Sequence, residues 1–138
     1  MNLRNLPTRL ATGAFIVHSG LEKWGAGPEM AAGIHGMASG AYPVFKSLKP
    51  TDFLRALSVG ELTVGTALLA PVVPVGVAGA ALTAFSGGLL GLYLRTPGLH
   101  QPGSVWPTPD GLGVSKDVWM FGIGLGLLAD AASRRTRA

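Results

Sequence analysis

His18, Glu22 and Lys23 crowd into one short stretch of the chain, and Glu61 stands alone further on. His18 and Glu22 are four residues apart and share one helical face, with Lys23 one step round from Glu22. A histidine and two carboxylates are groups that take and give protons, and a lysine beside a carboxylate is the natural half of an ion pair. Three kinds of chemistry follow from these types and spacings. One is a buried Lys23–Glu61 pair that fixes the register of two helices. The second is a binding or proton-handling site built from His18, Glu22, Lys23 and Glu61. The third is a metal site from His18, Glu22 and Glu61, which would be one histidine and two carboxylates without a second histidine close by. His35 and His100 fall outside the apolar runs and read as solvated or interfacial. Asp130 precedes Arg134 and Arg135 and is expected to meet them or water.

The elements that must position these groups are unusually apolar. From Leu62 to Leu94 the chain runs 33 residues without a charged side chain, and Pro71 and Pro74 interrupt that run. As a single helix it would be about 50 Å long at ~1.5 Å per residue, against a bilayer hydrocarbon core of ~30 Å. It therefore reads as two membrane passes joined by a tight hairpin. Only 13% of the 138 residues are charged, about half the ~25% usual for soluble domains. Twenty-one glycines in a 48% hydrophobic chain fit helices that approach closely in lipid. The absence of cysteine excludes disulfides, thiolate metal sites and thiol-relay chemistry by this chain. A net charge of +4 is carried by scattered basic residues that form no continuous stripe, which argues against nucleic-acid binding.

The predicted fold is all-α, an integral membrane four-helix bundle in one domain over 1–138, with helices at about 6–24, 53–70, 75–94 and 115–132. The first could alternatively be the core of a signal peptide, but Glu22, Lys23 and Trp24 follow it without a small-x-small cleavage site. Between helices one and two, Pro28 and Glu29 open a short interfacial or re-entrant helix that ends near Gly40, with Met30, Ile34 and Met37 on its apolar face; an irregular loop is the alternative. Gly87-x-x-x-Gly91 and Gly122-x-x-x-Gly126 predict close packing of helices three and four. Arginines 4, 9, 134, 135 and 137 in the two end segments favour cytoplasmic termini at a bacterial inner membrane, and Trp24, Trp106, Trp119, Tyr42 and Tyr93 gather at the opposite boundary as an aromatic belt. Glu61 then lies ~12 Å inside its helix, where lipid exposure is costly, so it must face the bundle. Helices one and two are antiparallel in this layout, and the expected partner of Glu61 is Lys23 with His18 beside it.

Three stretches carry a family resemblance: Arg9-Leu-Ala-Thr-Gly-Ala-Phe-Ile-Val-His-Ser-Gly-Leu-Glu-Lys-Trp24, then Gly60-Glu-Leu-Thr-Val-Gly65, and finally Lys116-Asp-Val-Trp-Met-Phe-Gly-Ile-Gly-Leu125 opening the last helix. In order and spacing they resemble the DoxX-like family of small four-helix bacterial membrane proteins, over most of the chain. The segments Tyr42 to Pro50 and His100 to Gly113 are longer than that family leads one to expect. The resemblance implies association with quinone-linked oxidation or thiol redox systems. Three functions are expected on these grounds. The chain is a non-catalytic accessory or scaffold subunit of a membrane redox or respiratory assembly, or a quinone-linked oxidoreductase subunit, or a small proton or solute transporter acting as an oligomer. The partners so implied are the bilayer and other membrane proteins, as a redox complex or homo-oligomer; no cofactor is bound covalently, and a quinone is the one cofactor considered.

Overall fold

A computed structural model describes residues 2–137. Among them are six α-helices and no β-strand: α1 (Leu6–Trp24), α2 (Pro28–Ala41), α3 (Pro50–Leu69), α4 (Val75–Arg95), the single turn α5 (Leu112–Ser115) and α6 (Asp117–Arg135). Proline opens α1, α2 and α3, where its fixed φ favours the helix and its missing N–H leaves nothing unpaired. That is why α3 begins at Pro50, three residues ahead of the expected Phe53. At its other end the Ala70 N–H closes the last turn on the Thr66 carbonyl, and Pro74 caps the start of α4, so the hairpin turn occupies residues 70–74.

Two antiparallel helix pairs make the body of the fold. In the first, α1 lies against α3 with their backbones almost touching. A Cβ on Gly65 would come within 2.7 Å of Val17 Cγ2 and 2.9 Å of the Val17 nitrogen, and Gly20 faces Leu62 and Glu61. In the second pair, α4 packs on α6 through Gly79 and Gly124, where a Cβ on Gly79 would meet Leu127 Cβ at 2.9 Å and the Gly124 carbonyl at 3.1 Å. The close α4–α6 packing expected from glycines is therefore present, but other glycines make it. A Cβ on Gly122 or Gly126 would meet nothing within 4 Å, because Gly124 lies about 200° round the helix from both. Gly87 touches only the edge of the Phe121 ring, and Gly91 makes room for the Tyr42 hydroxyl, which donates to the Gly88 carbonyl at 2.8 Å.

The pairs meet most tightly near the hairpin, where Ile16, Val64, Leu68, Ala78, Leu82 and Leu127 form one buried cluster. Towards the other end α2 comes against α3 and α4, and Ala38, Ala41, Phe53 and Leu92 form a second cluster. The buried face of α2 consists of small residues, Ala31, Ala38, Ser39 and Ala41, while Met30 and Met37 are exposed and only Ile34 of the expected apolar face joins the second cluster. Alanines let α2 lie close to α3, which methionines at the same positions would prevent.

Two helical segments, α4 and Leu112–Arg135, are long and apolar enough to cross a membrane, and no more than 28% of either apolar window is buried within the fold. Val59, Val77, Val118, Trp119 and Leu125 all point large apolar side chains outward.

Candidate functional site

Lys23, near the end of α1, reaches across to α3. Its Nζ lies 3.0 Å from Glu61 Oε1 and donates to Glu61 Oε2 at 3.1 Å and to Ser19 Oγ at 2.7 Å. Ser19 in turn donates to Glu61 Oε1 at 3.4 Å, and one turn away the Ser58 hydroxyl donates to the Gly20 carbonyl at 2.6 Å. The Glu61 side chain is 7% exposed and that of Lys23 19%. A carboxylate at such depth requires a partner, and the pair supplies it.

His18 does not join the pair. The face of α1 turned to α3 carries Arg9, Thr12, Gly13, Ile16 and Gly20, and His18 lies about 200° round from Ile16. It points outward instead, 3.4 Å from Glu22, with both side chains about two-thirds exposed. Ser19, one residue on, takes the place expected for the histidine. No group of three or more histidine or carboxylate side chains among the described residues is placed to hold a metal ion, so the metal set of His18, Glu22 and Glu61 does not assemble. His35 is half-buried. Its ring packs edge-on to Phe53 and its Nε2 lies 2.8 Å from the Phe45 carbonyl and 3.2 Å from Ser39 Oγ. His100 stays at the surface beside Tyr93. Asp130 binds Arg134 at 2.6 Å and Asn5 at 2.8 Å, fastening the N-terminal turn to the end of α6.

Two groups stand out that sequence reasoning passed over. Arg9, counted there only among the arginines of the end segments, is 2% exposed. Its guanidinium donates to the carbonyls of Ala67, Leu68, Ala70 and Val73 at 2.8 to 3.2 Å, so it caps the C-terminus of α3 and the hairpin that follows. Asp117, the first residue of α6, is 6% exposed, and its carboxylate makes neither a hydrogen bond nor an ion pair with any described residue. An acid in the first turn of a helix ordinarily reads as a solvated complement to the helix dipole. Burial is what makes this one different.

Lys23, Glu61, Ser19 and Asp117 line a single cavity of about 730 Å³ between the two helix pairs and α2. Most of its wall is apolar or aromatic: Phe15 and Ile16 from α1, Phe53 and Leu57 from α3, Phe85 and Leu89 from α4. Tyr42 and Phe45, the connection after α2, complete that wall, and the Phe45 and Phe53 rings pack tilted at 53° with centroids 4.9 Å apart. The polar groups come from α1, α3 and α6, and the exposed Lys116 lines the cavity beside Asp117. Such a volume, with an apolar wall and a few convergent polar groups, is the form of a small-molecule site.

No protein-family model matches the chain, and no curated protein or solved structure matches it either.

Proposed function

We propose that the chain is a multi-pass inner-membrane protein, a four-span bundle of the DoxX-like kind, whose interhelical cavity holds a lipophilic ring compound of the quinone class. It acts as an accessory, ligand-holding subunit of a membrane redox assembly, and the electron-transfer centre belongs to its partners. The observation that carries this reading is the cavity of about 730 Å³ with Lys23, Glu61, Ser19 and Asp117 on an otherwise apolar, aromatic wall. A ring of quinone size with part of an isoprenoid tail fits within the range of ~300–1,000 Å³ usual for small-molecule pockets.

The bilayer is the solvent that explains the surface. Apolar helices whose outer faces carry Val77, Trp119 and Leu125 lack the protein cover that water would demand. In the four-span layout α1 and α3 place their few ionised groups inward or near their ends, as Arg9, Lys23 and Glu61 are placed. Both termini and the 70–74 turn then lie at the cytoplasmic boundary. Trp24, Trp106 and Trp119, all exposed, lie at the outer one.

The test is a titration of the purified protein in lipid nanodiscs with a short-tailed benzoquinone. Saturable binding at one site per chain, lost in Gly88→Phe, supports the reading. Gly88 lines the cavity and a Cβ there meets nothing within 4 Å, so the new ring occupies ligand space and not backbone space. Non-saturable partitioning that is equal in both proteins refutes it.

A further inference from the structure

Asp117 is a costly residue to have where it stands. An isolated carboxylate removed from water is strongly disfavoured, and buried acids are almost always paired. Glu61 has Lys23, Asp130 has Arg134, and Glu22 has His18, whereas Asp117 is 6% exposed and has no partner among the described residues. No oxygen of its carboxylate is sealed off without a partner, so the unpaired acid opens onto the cavity. A buried group that the fold leaves unsatisfied, aimed into a pocket, is placed for something that enters the pocket.

Lys23 supplies the complement. An ammonium has three N–H donors. Ser19 takes one and the Glu61 carboxylate another, which leaves one for a ligand. Lys23 and Asp117 both line the cavity and make no ion pair with each other. The cavity therefore offers one strong donor and one strong acceptor that do not pair with each other. A carbonyl head satisfies the donor alone and leaves Asp117 bare. An ammonium head satisfies Asp117 and meets Lys23 with like charge. A hydroxyl satisfies both, because it donates and accepts at once.

We infer that the cavity selects a lipophilic aromatic compound by a ring hydroxyl that donates to Asp117 and accepts from Lys23, so that a hydroquinone or phenol is bound in preference to the corresponding quinone or ether. The aromatic wall of Phe15, Tyr42, Phe45, Phe53 and Phe85 takes the ring itself. This rests on the reading of the cavity as a ligand site and names the form of the ligand that it takes.

The experiment compares four probes on the same protein in nanodiscs: a decyl-benzohydroquinone kept reduced under anaerobic conditions, its quinone, its dimethyl ether and a decyl-phenol. Binding is measured by equilibrium dialysis against empty nanodiscs. Hydrogen bonds to charged groups are among the strong ones, so the hydroquinone and the phenol should bind at least tenfold more tightly than the ether, with the quinone between. Asp117→Leu should reduce the hydroquinone-to-ether ratio to less than threefold. The same variant should also raise the thermal midpoint of the ligand-free protein, since it removes an unpaired buried acid; a residue kept for structure would lower it on replacement. Equal affinity for all four probes, or a preference that survives Asp117→Leu, overturns the hydroxyl assignment while leaving the cavity a ligand site. Failure of all four to bind saturably overturns both.

Discussion

Replacing Arg9 by leucine removes five hydrogen-bond contacts from the guanidinium to four carbonyls, those of Ala67, Leu68, Ala70 and Val73. Leucine fills part of the same space, and the desolvation of a guanidinium no longer opposes folding, so some of the loss is recovered. What is not recovered is the state of the carbonyls. Four acceptors at the end of α3 lose a charged donor, and Leu68 itself is fully buried. Leaving even two of them unsatisfied costs about 2–6 kcal/mol at ~1–3 kcal/mol each. Relief of desolvation lowers the net to about 3 kcal/mol, a midpoint shift of roughly 10 °C for a chain of this size. Arg9→Lys should lie between, since three donors on a flexible stem cannot reproduce the planar fork. The matched control is Arg4→Leu; the Arg4 side chain is mostly exposed and pairs with Asp130 at 3.5 Å, so the effect should stay within ~1 kcal/mol. Thermal unfolding in one detergent, followed by tryptophan fluorescence, ranks the variants. If Arg9→Leu and Arg4→Leu unfold within 2 °C of each other, the capping role assigned to Arg9 is wrong.

The glycine seams predict opposite signs for one substitution. Gly65→Ala should destabilise by about 1–3 kcal/mol, because its Cβ would press on Val17, whereas Gly126→Ala, with nothing within 4 Å, should gain about 0.5–1 kcal/mol of helix propensity; equal effects in thermal unfolding would deny the α1–α3 contact. Glu61→Gln should leave Lys23 buried without its counter-charge and lower stability by an amount on the order of 3–5 kcal/mol, and the double replacement of Lys23 and Glu61 by methionine should restore much of that; a single variant as stable as wild type would show that the pair is dispensable. Cysteine labelling in intact cells should reach a residue placed at Gly103 from outside and residues at both termini only after the membrane is opened; termini found on opposite faces would end the four-span layout.

Helix limits were readable because prolines and charges punctuate this chain so strongly. The span 6–24 expected for the first helix is that of α1, and Pro71 and Pro74 bracket the hairpin. The Lys23–Glu61 pair was also within reach, since depth along two antiparallel helices brings a lone carboxylate between them towards the nearest cation. His18 was misplaced because depth alone does not fix azimuth: it has the right height on α1 and the wrong side. For the same reason Gly122 and Gly126 were credited with a packing that Gly124 performs, as a glycine-rich helix presents small residues on several faces. Arg9 and Asp117 were hidden by their positions, one near a basic end segment and one at a helix start, where charges ordinarily meet water. Their burial depends on which helices lie against them, and that is settled by the pairing of α1 with α3 and of α4 with α6, not by local sequence.

The measurement closest to the central claim is an inventory of what the cavity holds in the cell. Wild-type protein and Gly88→Phe are purified in parallel from native membranes without added ligand, extracted with organic solvent, and the extracts quantified by mass spectrometry. An isoprenoid quinone or hydroquinone, or another ring-hydroxylated lipid, should accompany the wild-type chain at close to one per chain and be depleted at least tenfold from Gly88→Phe. Recovery of phospholipid alone, or of the same ring compound in equal amount from both proteins, would contradict the assignment of the cavity as a ligand site.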